Sequence, residues 1–120
     1  MQATKHTFAN YPFLKELGLS EANKGCYRRG EWVGSGQVAQ SVNPSTNEVI
    51  ATVHCASEAQ YQECMFAMNE EKARWQTNPA PVRGEIASQI GDELRKKKVV
   101  LGALVSLGVG KIKSEGLGEI

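Results

Sequence analysis

Residues 37–54 read Gln37-Val38-Ala39-Gln40-Ser41-Val42-Asn43-Pro44-Ser45-Thr46-Asn47-Glu48-Val49-Ile50-Ala51-Thr52-Val53-His54. At the centre, Asn43-Pro44-Ser45-Thr46-Asn47 is a turn sequence. Proline presets φ there, and the short polar side chains hydrogen-bond to nearby backbone. In the stretch after it, Val49, Ala51 and Val53 alternate with Ile50, Thr52 and His54, and Val and Ile favour a pleated surface. These residues predict a β-hairpin over 37–54 with a longer loop.

Working upstream, Gly25 to Gly36 contains four glycines and reads as a turn-rich connection. Before it, Tyr11-Pro12-Phe13-Leu14-Lys15-Glu16-Leu17-Gly18-Leu19 reads as a short helix or single turn. Pro12 lacks only an N–H that a helix start leaves unpaired, Phe13, Leu14 and Leu17 share a face, and Gly18 stops the turn. Residues 1–36 are thus an N-terminal segment with turns.

Downstream, 57–120 reads as helices. Ser57 and Gln60 have the spacing of a capping box, in which each side chain satisfies an otherwise unpaired backbone N–H. Tyr61, Met65, Met68 and Trp75 recur at helical spacing, which predicts a core-facing stripe with both methionines as core fillers. Asn78-Pro79-Ala80-Pro81 breaks this helix, since proline disfavours a helical residue before it. A second helix is expected from about Pro81 to Val100, with Ile86, Ile90, Leu94 and Leu101 as its apolar stripe. Leu101 to Val109 continues as buried helix, Gly108 and Gly110 interrupt it, and Lys111 to Ile120 reads as another helix beginning. The pattern stops there without a closing cap, as a truncated segment would. The fold class is α/β.

The chain has 120 residues, 41% hydrophobic and 22% charged, with a net charge of +1, values of a soluble globular protein. So neutral a balance gives no field to draw nucleic acid or an acidic membrane. No stretch approaches the roughly 18 apolar residues of a membrane span. Met1 to Phe8 lacks the apolar run of a secretory signal, and Lys5 and His6 without arginine do not make a mitochondrial presequence. Three cysteines, Cys26, Cys55 and Cys64, are an odd count at spacings that match no zinc pattern. A reducing, cytoplasmic location follows as the expectation.

Four stretches invite chemistry. Gly34-x-Gly36-x-x-Ala39 matches the loose dinucleotide pattern, but that loop needs a strand before it and a helix after it, and here a strand follows; a glycine turn is the reading. Gly108-Val109-Gly110-Lys111 resembles part of a P-loop, yet Val105 stands where the first glycine belongs and Ile112 where Ser or Thr belongs; a helix-to-helix turn is the reading. His54 beside Cys55 suggests a base and a thiol, but neighbours on a strand point to opposite faces, so Cys55 reads as a half-buried structural cysteine. Cys64 on the helical stripe reads as core, and Cys26 is unassigned. Arg95-Lys96-Lys97-Lys98 reads as a solvated face near a helix C-terminus, where cations complement the macrodipole.

Several stretches together resemble the aldehyde dehydrogenases of the antiquitin type. Leu14-Lys15-Glu16-Leu17-Gly18-Leu19 is similar to their opening, and Asn43 to Ile50 to the hairpin near the start of aldehyde dehydrogenases generally. More specific are Pro79-Ala80-Pro81-Val82-Arg83-Gly84-Glu85-Ile86 and Gln89-Ile90-Gly91-Asp92. The likeness continues through Leu101 to Leu107, Gly110-Lys111 and Glu115 to Glu119. It implies the N-terminal portion of that fold, incomplete: a hairpin followed by helices that pack around a coenzyme-binding domain.

The resemblance also implies a parent that is NAD-dependent and homo-oligomeric and that oxidises an aldehyde, alpha-aminoadipic semialdehyde of lysine degradation, to the acid. In that family a cysteine attacks the carbonyl, hydride passes to NAD, and a glutamate-activated water releases the acid. Those groups and the main NAD contacts lie beyond the last residue here, and none of Cys26, Cys55 or Cys64 matches the nucleophile's motif. No catalytic, cofactor-binding or metal residue is therefore assigned, and this piece alone is expected to bind no NAD and to be inactive. Gly108, Glu71, Lys72, Lys98 and Lys113 depart from the family's pattern. Charge at a buried position is unfavourable, so these departures suggest a relaxed copy. The alternative is a non-catalytic or pseudogene-derived interaction protein that docks on full-length aldehyde dehydrogenase subunits through the uncovered apolar surfaces of Leu101 to Leu107. With only a hairpin and a few helices, weak cooperativity and some aggregation are expected.

Overall fold

The computed structural model describes residues 7–120. The leader and presequence reading rests mainly on Met1–His6, which lie outside the described residues. A 3₁₀ turn at Phe8–Asn10 and helix α1 (Phe13–Glu16) lead into three short strands, β1 (Ala22–Lys24), β2 (Cys26–Arg28) and β3 (Glu31–Val33). Strands β4 (Val38–Val42) and β5 (Val49–His54) follow, then helices α2 (Glu58–Thr77), α3 (Ala80–Lys96), α4 (Lys98–Val109) and α5 (Lys113–Gly118).

The hairpin forms as its turn sequence directs. β4 and β5 pair antiparallel from Val38 opposite His54 to Val42 opposite Val49, with a register shift between Ser41 and Val42. The Asn43 side-chain oxygen accepts from the Ser45 N–H at 2.9 Å, and the Asn43 N–H donates to the Glu48 carbonyl at 2.8 Å. Asn47 adopts the left-handed conformation at φ 58°, which asparagine tolerates. Asn43 is only 4% exposed, and its amide donates to the Tyr11 hydroxyl at 3.3 Å. The loop is thereby anchored to the N-terminal segment. On the other edge of β5, β1 adds in parallel, which makes a three-stranded sheet in the order β1-β5-β4.

The core sits where α1, β5 and α4 converge. Phe8, Leu14 and Ile50 are buried, and Tyr11, Phe13, Leu19, Leu104 and Leu107 pack around them. Gly18, at φ 75°, turns the chain out of α1 as expected. Helix α5 lies tightly on α4: a Cβ at Gly102 would fall 2.9 Å from the Leu117 side chain, and one at Gly116 would collide with the Ser106 hydroxyl and the Gly102 carbonyl.

Three expectations are corrected. The glycine-rich region 25–36 is not only turns: β2 and β3 form a second, antiparallel sheet there, with Tyr27 opposite Trp32 and their rings edge-to-face at 5.3 Å. Left-handed Arg29 and Gly30 make the reversal. The helix expected over 81–100 breaks at Lys97, whose φ of −100° and ψ of 6° leave the helical region, so Leu101 belongs to α4, which runs on through Gly108 to an exposed Val109 and buries only Gly102 rather than the whole stretch from Leu101. The stripe on α2 is not core. Tyr61, Met65, Met68 and Trp75 are all exposed, and neither α2 nor α3 contains a buried residue. The spacing was right, but among the described residues no element covers that face.

Candidate functional site

The best-defined side-chain cluster lies between the β2–β3 hairpin and α2. The Ser57 box sets the start of α2: its Oγ accepts from the Gln60 N–H at 3.3 Å, while the Gln60 side chain accepts from the Ser57 N–H at 3.0 Å. The same Gln60 oxygen accepts from the Ser35 N–H at 3.1 Å, which ties the helix to the chain leaving β3. One turn further, Cys64 faces Cys26 of β2, and their sulfurs are 3.2 Å apart. Arg28 pairs with Glu31 at 3.2 Å and with Glu63 of α2, and Arg29 pairs with Glu70 at 2.5 Å.

Arg28, Arg29, Glu31 and Glu63 border an open cavity of about 810 Å³ that Met65 and Phe66 also line. Both guanidinium groups already meet carboxylates, so the cavity carries little free positive charge for a phosphate. The hydrogen bond with Cys26, helped by burial, holds the Cys64 thiol above its usual range despite the nearby Arg28. A thiol held protonated is a poor nucleophile.

The other candidate stretches take their bland readings. Gly34 and Gly36 press on the backbone of His54 and Ala56, where added Cβ atoms would collide, and the Gly36 N–H donates to the Cys55 carbonyl at 2.8 Å. β4 follows them, so no helix N-terminus faces a pyrophosphate. Gly110 caps α4 in the left-handed conformation, its N–H bonded to the Ser106 carbonyl at 3.0 Å, and Lys111 pairs with Glu119. In the basic run, Arg95 pairs with Asp92 at 2.6 Å and Lys96 with Glu93 at 2.5 Å on an exposed face.

Two cysteine expectations change. Cys55 is exposed rather than half-buried, because it ends the strand at the rim of the sheet. Cys64 is half-buried against Cys26 rather than in the core. The departures at Glu71, Lys72, Lys98 and Lys113 are all exposed here, and Glu71 pairs with Arg74 at 3.0 Å, so none imposes a buried charge on this chain. Among the described residues no group of three or more His, Cys, Asp or Glu could hold a metal ion, and no helix is long and apolar enough to cross a membrane.

The aldehyde dehydrogenase family matches residues 32–120, well over half of the chain. The chain belongs to the aldehyde dehydrogenase family. Within that family, the likeness is to the antiquitin type. It is 50% identical over 111 residues to aldehyde dehydrogenase family 7 member A1 of Pisum sativum, covering 92% of this chain and 22% of that protein. It is 51% identical over 110 residues to the alpha-aminoadipic semialdehyde dehydrogenase of Bos taurus, covering 92% of this chain and 20% of that one. The chain therefore spans about a fifth of the length of these relatives. Betaine aldehyde dehydrogenase of Staphylococcus aureus, solved in complex with NAD+, is 28% identical with a TM-score of 0.77 over 93% of this chain and 22% of its own. The mixed α/β arrangement corresponds to the N-terminal part of the aldehyde dehydrogenase fold, as the resemblance implied.

Sequence reasoning missed strand β1 in the N-terminal segment, and it missed two contacts: the β2–β3 sheet and the meeting of Cys26 with Cys64. The first had a signal in Tyr27 and Trp32, aromatic residues suited to strands on either side of Arg29-Gly30. The second had none, because a contact between residues 38 positions apart is made by the fold.

Proposed function

We propose that these 120 residues are the N-terminal structural segment of an NAD-dependent dehydrogenase that acts on alpha-aminoadipic semialdehyde, and that the segment alone performs no turnover. The observation that carries this reading is the 51% identity to alpha-aminoadipic semialdehyde dehydrogenase over 92% of the chain. The inactivity rests on the thiols. Oxidation of an aldehyde through a covalent intermediate needs an activated thiolate beside oxyanion donors. Here Cys26 holds the Cys64 thiol above its usual range, Gly34 and Gly36 press on the backbone of His54 and Ala56, and Lys111 pairs with Glu119. No residue is assigned to catalysis, to NAD or to a metal. A cytoplasmic location belongs to the same proposal.

Two assays test it. The purified chain, given alpha-aminoadipic semialdehyde and NAD beside a full-length positive control, yields no NADH. Turnover by the chain alone would make one of its three cysteines a nucleophile and overturn the inactivity. Grafted in place of the matching fifth of the Bos taurus relative, the same residues support oxidation of that aldehyde. A folded but inert graft would sink the parent assignment.

A second reading draws on one observation, the exposed apolar faces of α2 and α3. Phe66, Met68 and Ile90 are 63%, 58% and 60% exposed. Groups of this size left in water favour association, and the occupant they fit is the remaining four-fifths of an aldehyde dehydrogenase subunit. Co-purification of the chain with the full-length relative supports docking, and its loss on Phe66→Ser with Ile90→Ser places the contact on these faces.

A further inference from the structure

The contacts between the β2–β3 hairpin and α2 are polar or sulfur contacts among the pairs described: Arg28 with Glu63, Arg29 of the turn with Glu70, and Cys26 with Cys64. α2 has no buried residue, so apolar packing does not hold it in place. The ion pairs lie on either side of the thiols along the helix and hold them in register. The sulfurs are 3.2 Å apart, and a covalent S–S bond is about 2.05 Å. Closing the gap takes a movement of roughly 1 Å, within the reach of side-chain rotation in a half-buried site. Both thiols are half-buried, neither sealed from a small solute nor fully open to one. Cys55 is exposed, and the two other cysteines already face each other.

We propose that Cys26 and Cys64 form a redox-modification site, a dithiol that a small-molecule disulfide converts to an intrachain disulfide fastening β2 to α2. The exchange balances in two steps. The Cys26 thiolate attacks one sulfur of the small disulfide, whose S–S bond breaks; one thiolate leaves and takes up a proton. Cys64 then gives its proton to water and attacks the Cys26 sulfur in the mixed disulfide, which expels the second thiolate. The two cysteines lose two electrons and two protons, and the small disulfide becomes two thiols.

The test uses the full chain, glutathione disulfide as the probe and alkylation of the remaining thiols, read by mass spectrometry. Cleavage after glutamate separates the cysteines, because Glu58 and Glu63 lie between Cys55 and Cys64. The expected result is a monomer that has lost two hydrogens, with the Cys26 and Cys64 peptides joined and Cys55 alkylated. Cys55→Ser keeps the Cys26–Cys64 crosslink. Cys26→Ser abolishes it, and should that variant fold poorly, the peptide map of the unaltered chain still decides. Alkylation of all three thiols after treatment, a crosslink that includes Cys55, or disulfides only between chains would each overturn the proposal.

Discussion

The body of the molecule and its α2–α3 arm are written in the same kind of sequence and meet different fates. In the body, Phe8, Leu14 and Ile50 are 6%, 2% and 7% exposed, and α4 and α5 pack closely enough to require glycine at their contact. In the arm, 20 residues of α2 and 17 of α3 carry apolar side chains at helical spacing and bury none of them. The molecule is drawn out to 63 × 34 × 19 Å, with a radius of gyration of 17.7 Å where a compact chain of this length has roughly 14 Å. The difference teaches that helical periodicity announces a face meant to be covered and says nothing about whether the cover lies in the same 120 residues. The aldehyde dehydrogenase relatives, more than four times as long, have the chain to supply it.

The comparison can be broken most directly by paired truncations. Leu14→Ala removes a side chain that is 2% exposed, so it costs about 2–5 kcal/mol, measured by denaturant unfolding. Ile90→Ser in the arm, 60% exposed, stays within about 0.5 kcal/mol by the same measurement. Equal losses at the two sites would mean that the arm is packed after all.

Glycine substitutions sharpen the contrast with opposite signs. Gly116→Ala drives a methyl group into Ser106 and the Gly102 carbonyl and destabilises by about 1–3 kcal/mol. Gly91→Ala, in α3 with nothing within 4 Å of the added methyl, stabilises by about 0.5–1 kcal/mol. A loss at Gly91 as large as that at Gly116 would again put a neighbour on α3.

A smaller effect belongs to the helix cap. Ser57→Ala removes the acceptor of the Gln60 N–H, and the expected loss is about 1 kcal/mol, seen as fraying of the first turn of α2 in amide hydrogen exchange. Unchanged exchange would assign the helix start to other contacts.

The smallest effect is a pH dependence of the body's exposed edge. The hydrogen bond and charge of Lys111 hold the Glu119 carboxyl below its usual range, and Glu119 holds the Lys111 ammonium above its own. For Glu119 the contribution is present above the usual carboxylate value and is lost as pH falls through the depressed one. For Lys111 it is present below the usual lysine value and is lost as pH rises through the raised one. The pair therefore contributes across the neutral range and fades at both extremes. A titration of the Glu119 side chain by NMR with its midpoint at the ordinary carboxylate value would remove it. Both side chains are solvated, so the effect on unfolding is slight.

Much of the local structure was legible in the residues because the signals act over a few positions. Asn43 and Pro44 place the hairpin loop, Ser57 with Gln60 starts α2, Pro79 separates α2 from α3, and Gly18 and Gly110 end their helices in the left-handed conformation. The break at Lys97 was not legible, since Lys96-Lys97-Lys98 carries no proline or glycine and helix-compatible residues continue on both sides. The β2–β3 sheet was masked by the glycines around it, which serve close backbone approach as much as turning: a Cβ at Gly25 would fall 2.9 Å from the Val53 side chain.

Taken by itself, the sequence determined the hairpin loop, the start of α2 and its end at Pro79, which side chains share a helical face, and the likeness that places the chain among aldehyde dehydrogenases. Tertiary structure alone decided which of those faces are covered and which thiols meet. Caps, turns and periodicity are properties of neighbours along the chain, fixed by steric and hydrogen-bonding rules within one or two turns. Burial of Leu14 and exposure of Ile90, like the 3.2 Å between Cys26 and Cys64, depend on which distant segments close on one another.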